Sequence, residues 1–141
     1  MPYKNTKDRK EYHKKRYQAY KKEILTKMHQ KKLDYPKLEW AKRAFSTAKR
    51  RAKAKNREFL LQSYEDLIAK LPEKCPVFGI DFNFLGTYGD DTVPAVDRID
   101  SSKGYTIDNI QIISMKANSI KSRYQYEDIQ KVADWLRQLS Y

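Results

Sequence analysis

Residues 94–121 read PAVDRIDSSKGYTIDNIQIISMKANSIK, the most strongly patterned stretch of the chain. Pro94 to Asp100 predicts a short strand, and Ser101-Ser102-Lys103-Gly104-Tyr105 predicts a turn. Asn109-Ile110-Gln111-Ile112-Ile113-Ser114 has the β-branched content of a second strand. Met115 to Lys121 reads as a helix. The order is therefore strand, turn, strand, helix. Asp97 closes the first strand, Asn109 opens the second, and Asn118 lies inside the helix, where asparagine is a poor helix former. One carboxylate and one amide oxygen make a partial shell for a single Mg²⁺-like ion, which keeps several waters and takes a substrate phosphate. Such an ion polarises a phosphodiester and stabilises the leaving oxygen. Each residue also has a plainer reading: Asp97 as a turn cap, Asn109 as a turn residue after Asp108, and Asn118 as a surface position.

Working outward, Ile129, Val132, Ala133, Leu136 and Leu139 are spaced as one face of a closing amphipathic helix. Asp128 near its start and Arg137 near its end suit the helix dipole. Upstream, Phe59-Leu60-Leu61 predicts a short strand. Ser63-x-x-Asp66 is a capping pattern for a short helix through Leu67-Ile68 that must stop by Pro72. The alternation in Asp81-Phe82-Asn83-Phe84 precedes a loop marked by Gly86, Gly89 and Asp90-Asp91. Cys75 reads as a small buried apolar residue.

The first half differs in charge. Residues 1–74 hold 23 Lys/Arg against 9 Asp/Glu, a net of +14, whereas residues 75–141 hold 7 against 9, a net of −2. The whole excess of the +12 chain therefore sits in the first half. Residues 6 to about 56 contain no Gly, and their only proline is Pro36, so they predict two helices. Asn5 or Thr6 is the expected cap of the first, with Asp8 and Glu11 in its early turns. Its apolar stripe is narrow: Tyr17, Tyr20, Ile24 and Met28. The second starts at Pro36, with Leu38, Ala41, Phe45, Ala48 and Ala52 on its apolar side. Lys49, Arg50, Arg51, Lys53 and Lys55 place cations around most of its circumference. A solvated basic arm is the plain reading. Capture of nucleic-acid phosphates is the sharper one, because Lys and Arg release counterions on meeting a phosphate backbone.

Length and composition exclude other classes. At 141 residues the chain suits one core rather than two full domains. A single cysteine excludes an internal disulfide framework and a tetrathiolate zinc site. No apolar run approaches a membrane span, and no secretory apolar segment follows Met1. The expectation is a soluble, intracellular, basic protein whose pI near 9.7 suits a polyanion partner.

Read together, DRID, KGY, DNIQIIS and KANSIK, in that order, closely resemble the HNH-type endonucleases of the ββα-metal superfamily, in the small forms encoded by bacteriophages. The resemblance extends back through CPVFGIDF (75–82), AKRRAKAKNREFLLQSYEDL (48–67) and the Tyr/Lys-rich arm, and forward into the last helix. It implies an α+β fold: a mainly helical basic arm (1–57), then a ββα-metal nuclease domain (58–141) ending in the amphipathic helix. It implies hydrolysis of DNA phosphodiesters with one divalent ion, Mg²⁺ or Mn²⁺, and no structural zinc. By position, Asp97 and Asn118 match the metal ligands, and Asn109 matches the residue that braces the loop and orients the base. The implied setting is the cytoplasm of a phage-infected bacterial host, with duplex DNA as partner, no membrane, and a monomer or homodimer. Lys103 and Lys121 join the basic helix as expected phosphate contacts.

The sequence departs from the pattern at one position: Arg98 stands where the water-activating histidine usually follows the aspartate. Arginine stays protonated, so it holds phosphate or transition-state charge rather than acting as a base. Three routes stay open: water activated by the ion alone, proton transfer to Asp100 through water, or an inactive site on a DNA-binding protein. The two histidines, His13 and His29, lie in the basic arm. The main alternative to a nuclease is therefore a weak or inactive HNH-like DNA-binding protein. An RNA- or ribosome-associated protein is a third class, which competition between RNA and duplex DNA separates.

Overall fold

The Gly-free basic run forms two helices, α1 (Thr6–Asp34) and α2 (Pro36–Ala54), in a computed structural model that describes residues 6–87 and 89–139. Pro36 opens α2, where its missing N–H costs no hydrogen bond. The expected cap at Asn5 or the Thr6 side chain lies outside the described residues. Along α1 no described side chain is buried, and Tyr17, Tyr20 and Met28 stand more than half exposed. The helix is braced along its own surface instead, by Lys15–Glu11 at 3.1 Å, Lys27–Glu23 at 2.7 Å and Gln30–Asp34 at 2.8 Å. Such i,i+4 pairs contribute about 0.2–0.5 kcal/mol each.

The chain divides into two compact units inside α2, residues up to Glu39 and residues from Trp40 on. This differs from a division at 57/58, for a physical reason. Trp40, Ala41, Ala48 and Ala52 of α2 are buried in the core of the second unit. The small alanines let a cation-rich helix pack closely along one side while Arg and Lys occupy the other.

The second unit adds α3 (Glu65–Lys70), β1 (Pro94–Arg98), β2 (Ile110–Ser114), α4 (Met115–Arg123) and α5 (Tyr126–Gln138). The architecture is α+β: mostly helical, with one two-stranded antiparallel sheet. The register pairs Val96 with Ile112, Asp97 with Gln111 and Arg98 with Ile110. Side chains alternate across a sheet, so the two faces differ. Val96, Ile110 and Ile112 join the α2 and α3 side chains Ala48, Ala52 and Leu67. Ile113, on the Asp97 face, packs with Cys75 and Ala117 of α4. The buried Trp40 indole donates to the Pro94 carbonyl at 2.9 Å, which ties α2 to the start of β1.

Three expectations are modified. Phe59–Leu61 is an extended segment rather than a strand. Its pairing is one parallel bridge, Phe59 to Tyr105, with Leu60 N–H donating to the Tyr105 carbonyl and Tyr105 N–H to the Glu58 carbonyl, each at 2.9 Å. Gly104 permits this approach, since a β-carbon there would overlap the Glu58 carbonyl. The Ser63 pattern is half realised: Asp66 accepts from the Gln62 and Ser63 N–H groups, while Ser63 Oγ accepts from Glu65 N–H. The amphipathic face of α5 forms, yet no residue of that helix is buried. Among the described residues no helix is long and apolar enough to cross a membrane.

Leu67 is fully buried at the meeting of α3 with β2 and the α2 alanines. Leu67→Ala is expected to cost about 2–5 kcal/mol of folding stability, read by urea unfolding. A loss below about 1 kcal/mol would contradict this core.

Candidate active-site cleft

The cleft begins with a junction that has no loop. Ser114 ends β2 and also caps α4, its Oγ accepting from the Ala117 N–H at 3.3 Å. The next two amides donate outside the helix, Met115 to the Val93 carbonyl at 2.8 Å and Lys116 to the Asp91 carbonyl at 3.0 Å. These bonds satisfy the donors a helix start leaves open. Ala117 and Lys121, four residues apart, therefore share the α4 face that covers the Asp97 side of the sheet.

Asp97 is only 8% exposed. Its Oδ2 accepts from Gln111 Nε2 at 2.8 Å and from the Lys121 ammonium at 2.6 Å. The same ammonium donates to the Arg98 carbonyl at 2.6 Å and the Ile99 carbonyl at 3.3 Å. Asn118 is half-buried, and its side-chain amide has no hydrogen-bond partner among the described residues. Asp97, Arg98, Asn118 and Lys121 line one cleft of about 520 Å³ together with Arg51, Lys55 and Arg57. Asp97 is the sole acidic residue of that lining, facing five cationic side chains.

Asn109 sits at the base of the 99–105 loop. Its Oδ1 accepts from the Asp100 N–H at 2.9 Å, and its Nδ2 donates to the Asp100 and Gly104 carbonyls at 3.1 and 2.8 Å. A single amide thus closes the loop that connects the two strands. Arg98 is held on this loop: its guanidinium donates to the Lys103 carbonyl at 2.7 Å and lies 5.2 Å from the centre of the Tyr105 ring. Asp100 turns back on its own turn, accepting from the Ser102 hydroxyl at 2.6 Å and the Ser102 N–H at 2.9 Å. These bonds, the hydroxyl first, hold its carboxyl below the usual aspartate range, with a weaker pull from Lys103 at 3.4 Å. A carboxylate held this way is a poor proton acceptor.

The structure divides the expected phosphate contacts. Arg51, Lys55 and Lys121 line the cleft. Lys49, Arg50 and Lys53 are exposed elsewhere on α2, and Lys103 is exposed and paired with Asp100. His13 and His29 stand exposed on α1, and the unit from Trp40 on contains no histidine. Sequence reading missed Gln111 and Arg57. Gln111 follows from the register once Asp97 is placed opposite it. Arg57 has no such signal: it donates to the Ser102 carbonyl, and its buried Nε lacks a partner.

Among the described residues no group of three His, Cys, Asp or Glu side chains is placed to hold a metal. The donor set at Asp97 nonetheless fits a hard cation, because one carboxylate and two carbonyl oxygens already enclose an ammonium there. Asn118 supplies a further amide oxygen in the same cleft. Compared with protein-family models, curated proteins and solved structures, the chain matches none.

Removing the amide that closes the loop leaves the Asp100 N–H and two carbonyls without it. Asn109→Ala is expected to cost about 1–3 kcal/mol, read by thermal or urea unfolding, and to speed hydrogen exchange at the Asp100 amide. Unchanged exchange there would contradict the bracing role.

Proposed function

We propose that the chain is a metal-dependent DNA endonuclease of the HNH type, acting in the cytoplasm of a phage-infected bacterium. The observation that carries this reading is the convergence of Asp97 from β1 and Asn118 from α4 on one cation-lined cleft. Asn109 braces the loop beside them. Asp97 and Asn118 would hold one Mg²⁺ or Mn²⁺. When bound, that ion supplies Lewis acidity toward the phosphodiester and stabilises the leaving oxygen.

The chain's own residues do the remaining work. Arg51, Lys55 and Arg57 draw the DNA backbone into the cleft by charge. Arg98, fixed over Tyr105 and by the Lys103 carbonyl, presents a permanent cation to the phosphate and to the charge that develops on it. The basic faces of α1 and α2 extend backbone binding without reading sequence. Proton transfer goes to solvent, since Arg98 stays protonated and Asp100 is stabilised as a carboxylate by Ser102.

A second reading draws on Lys121. An ammonium already neutralises Asp97, and no histidine accompanies it. These facts favour an inactive HNH-like protein that binds DNA through charge alone.

Plasmid nicking separates the two readings. The unaltered protein is expected to relax or linearise supercoiled plasmid with Mg²⁺ or Mn²⁺. Asp97→Ala and Asn118→Ala are each expected to lose about 100-fold or more, because even residues that only support metal ligands are worth about 10–100-fold. Absence of cleavage with every metal, alongside tight binding that weakens steeply with salt, supports the second reading. Equal cleavage by the variants excludes this site.

A further inference from the structure

Lys121 is the most tightly held cation of the cleft. Its ammonium has three N–H donors, and three oxygens receive them: Asp97 Oδ2, the Arg98 carbonyl and the Ile99 carbonyl. All three come from the end of β1 and the residue after it, while the lysine comes from the last turn of α4. The ammonium therefore occupies an oxygen shell made of the ligand types that a hard divalent cation takes.

Charge sharpens the point. The cleft lining holds one carboxylate against Arg51, Lys55, Arg57, Arg98 and Lys121. With Lys121 on Asp97 the one anion is already neutralised. A divalent cation entering beside an unmoved ammonium would meet like charge at hydrogen-bond range in a partly enclosed site. The two cations cannot share Asp97 Oδ2 without a large repulsion. The lysine side chain is 40% exposed, so its flexible stem has open space to swing into.

We propose that Lys121 is an exchangeable internal counter-ion: it fills the Asp97 oxygen shell when no divalent cation is bound, and it is displaced into the cleft, toward the substrate phosphate, when one binds. The proposal rests on the reading of Asp97 as a metal ligand. It makes Lys121 a residue that sets metal affinity, besides being a phosphate contact. Metal loading and the freeing of a phosphate-binding ammonium become one event. A phosphate in the cleft then assists loading, because it offers the displaced ammonium a new anion.

The test is Mn²⁺ affinity by titration calorimetry on the unaltered protein and on Lys121→Gln, Lys121→Met, Lys121→Arg and Asp97→Asn. With the competing ammonium gone, the Gln and Met variants are expected to bind Mn²⁺ about tenfold or more tightly than the unaltered protein, a gain of roughly 1.4 kcal/mol. Lys121→Arg, which keeps the charge, is expected to show no such gain. Equal or weaker binding by both Gln and Met variants would overturn the proposal, since a lysine that merely holds the site together would lower affinity when removed. Asp97→Asn binding Mn²⁺ as well as the unaltered protein, or absence of Mn²⁺ binding by every form, defeats the metal reading itself and the proposal with it. A measurement on the unaltered protein guards against misfolded variants. The Lys121 ammonium resonance is expected to be protected from solvent exchange without Mg²⁺ and to lose that protection at saturating Mg²⁺. Protection retained at saturation overturns the exchange.

Discussion

The placement of Asn118 and Lys121 beside Asp97 depends on the junction at Ser114. A strand passes into a helix without a connecting loop, so the rotation of α4 about its axis is set by the strand itself. Ser114 is fully buried, caps the helix through Ala117 and touches the Cys75 thiol at 3.3 Å. The Val93 and Asp91 carbonyls receive the next two amides. With rotation fixed, Ala117 must pack toward Ile113, and Lys121 must arrive over Asp97. A loop of even a few residues would release that constraint, and Asp97 and Asn118 would no longer be bound to one cleft.

In the proposed function, binding and chemistry would be carried by different physics in different parts of the chain. The excess charge lies on α1 and α2, and α1 buries no described side chain. Such charge supplies affinity that falls with salt and carries no information about a reaction. The proposed site lies in the near-neutral half, in a cleft whose one carboxylate is buried and doubly hydrogen-bonded. Three α2–loop cations, Arg51, Lys55 and Arg57, reach that cleft and connect the two kinds of work.

Much of this was legible in the sequence because it is local. Pro36, the turn residues around Gly104 and the β-branched run 110–114 act over a few residues, and the two long helices, the hairpin and α4 follow from them. Asp97, Asn109 and Asn118 stand out because they sit at a strand end, a strand start and inside a helix that asparagine suits poorly, in the order the resemblance expects. What the sequence hid is what depends on register and on distant contacts. Gln111 became a partner of Asp97 only through strand pairing, and Lys121 did so only through the rotation of α4. The carbonyl partner of Arg57 lies 45 residues away. The apolar periodicity of α5 marks a helix but carries no information about burial, and its Val132 and Trp135 are more than half exposed. Periodicity reports which face is apolar, not what covers it.

The central claim is that Asp97 and Asn118 form one divalent-cation site beneath a cationic rim. Paramagnetic broadening by Mn²⁺ tests it most directly, because the effect falls steeply with distance from the bound ion. Substoichiometric Mn²⁺ added to the isotope-labelled protein is expected to erase the amide signals of Asp97, Arg98 and Asn118 before those of residues that do not line the cleft. Broadening centred on another part of the chain, or spread evenly along it, would contradict the account.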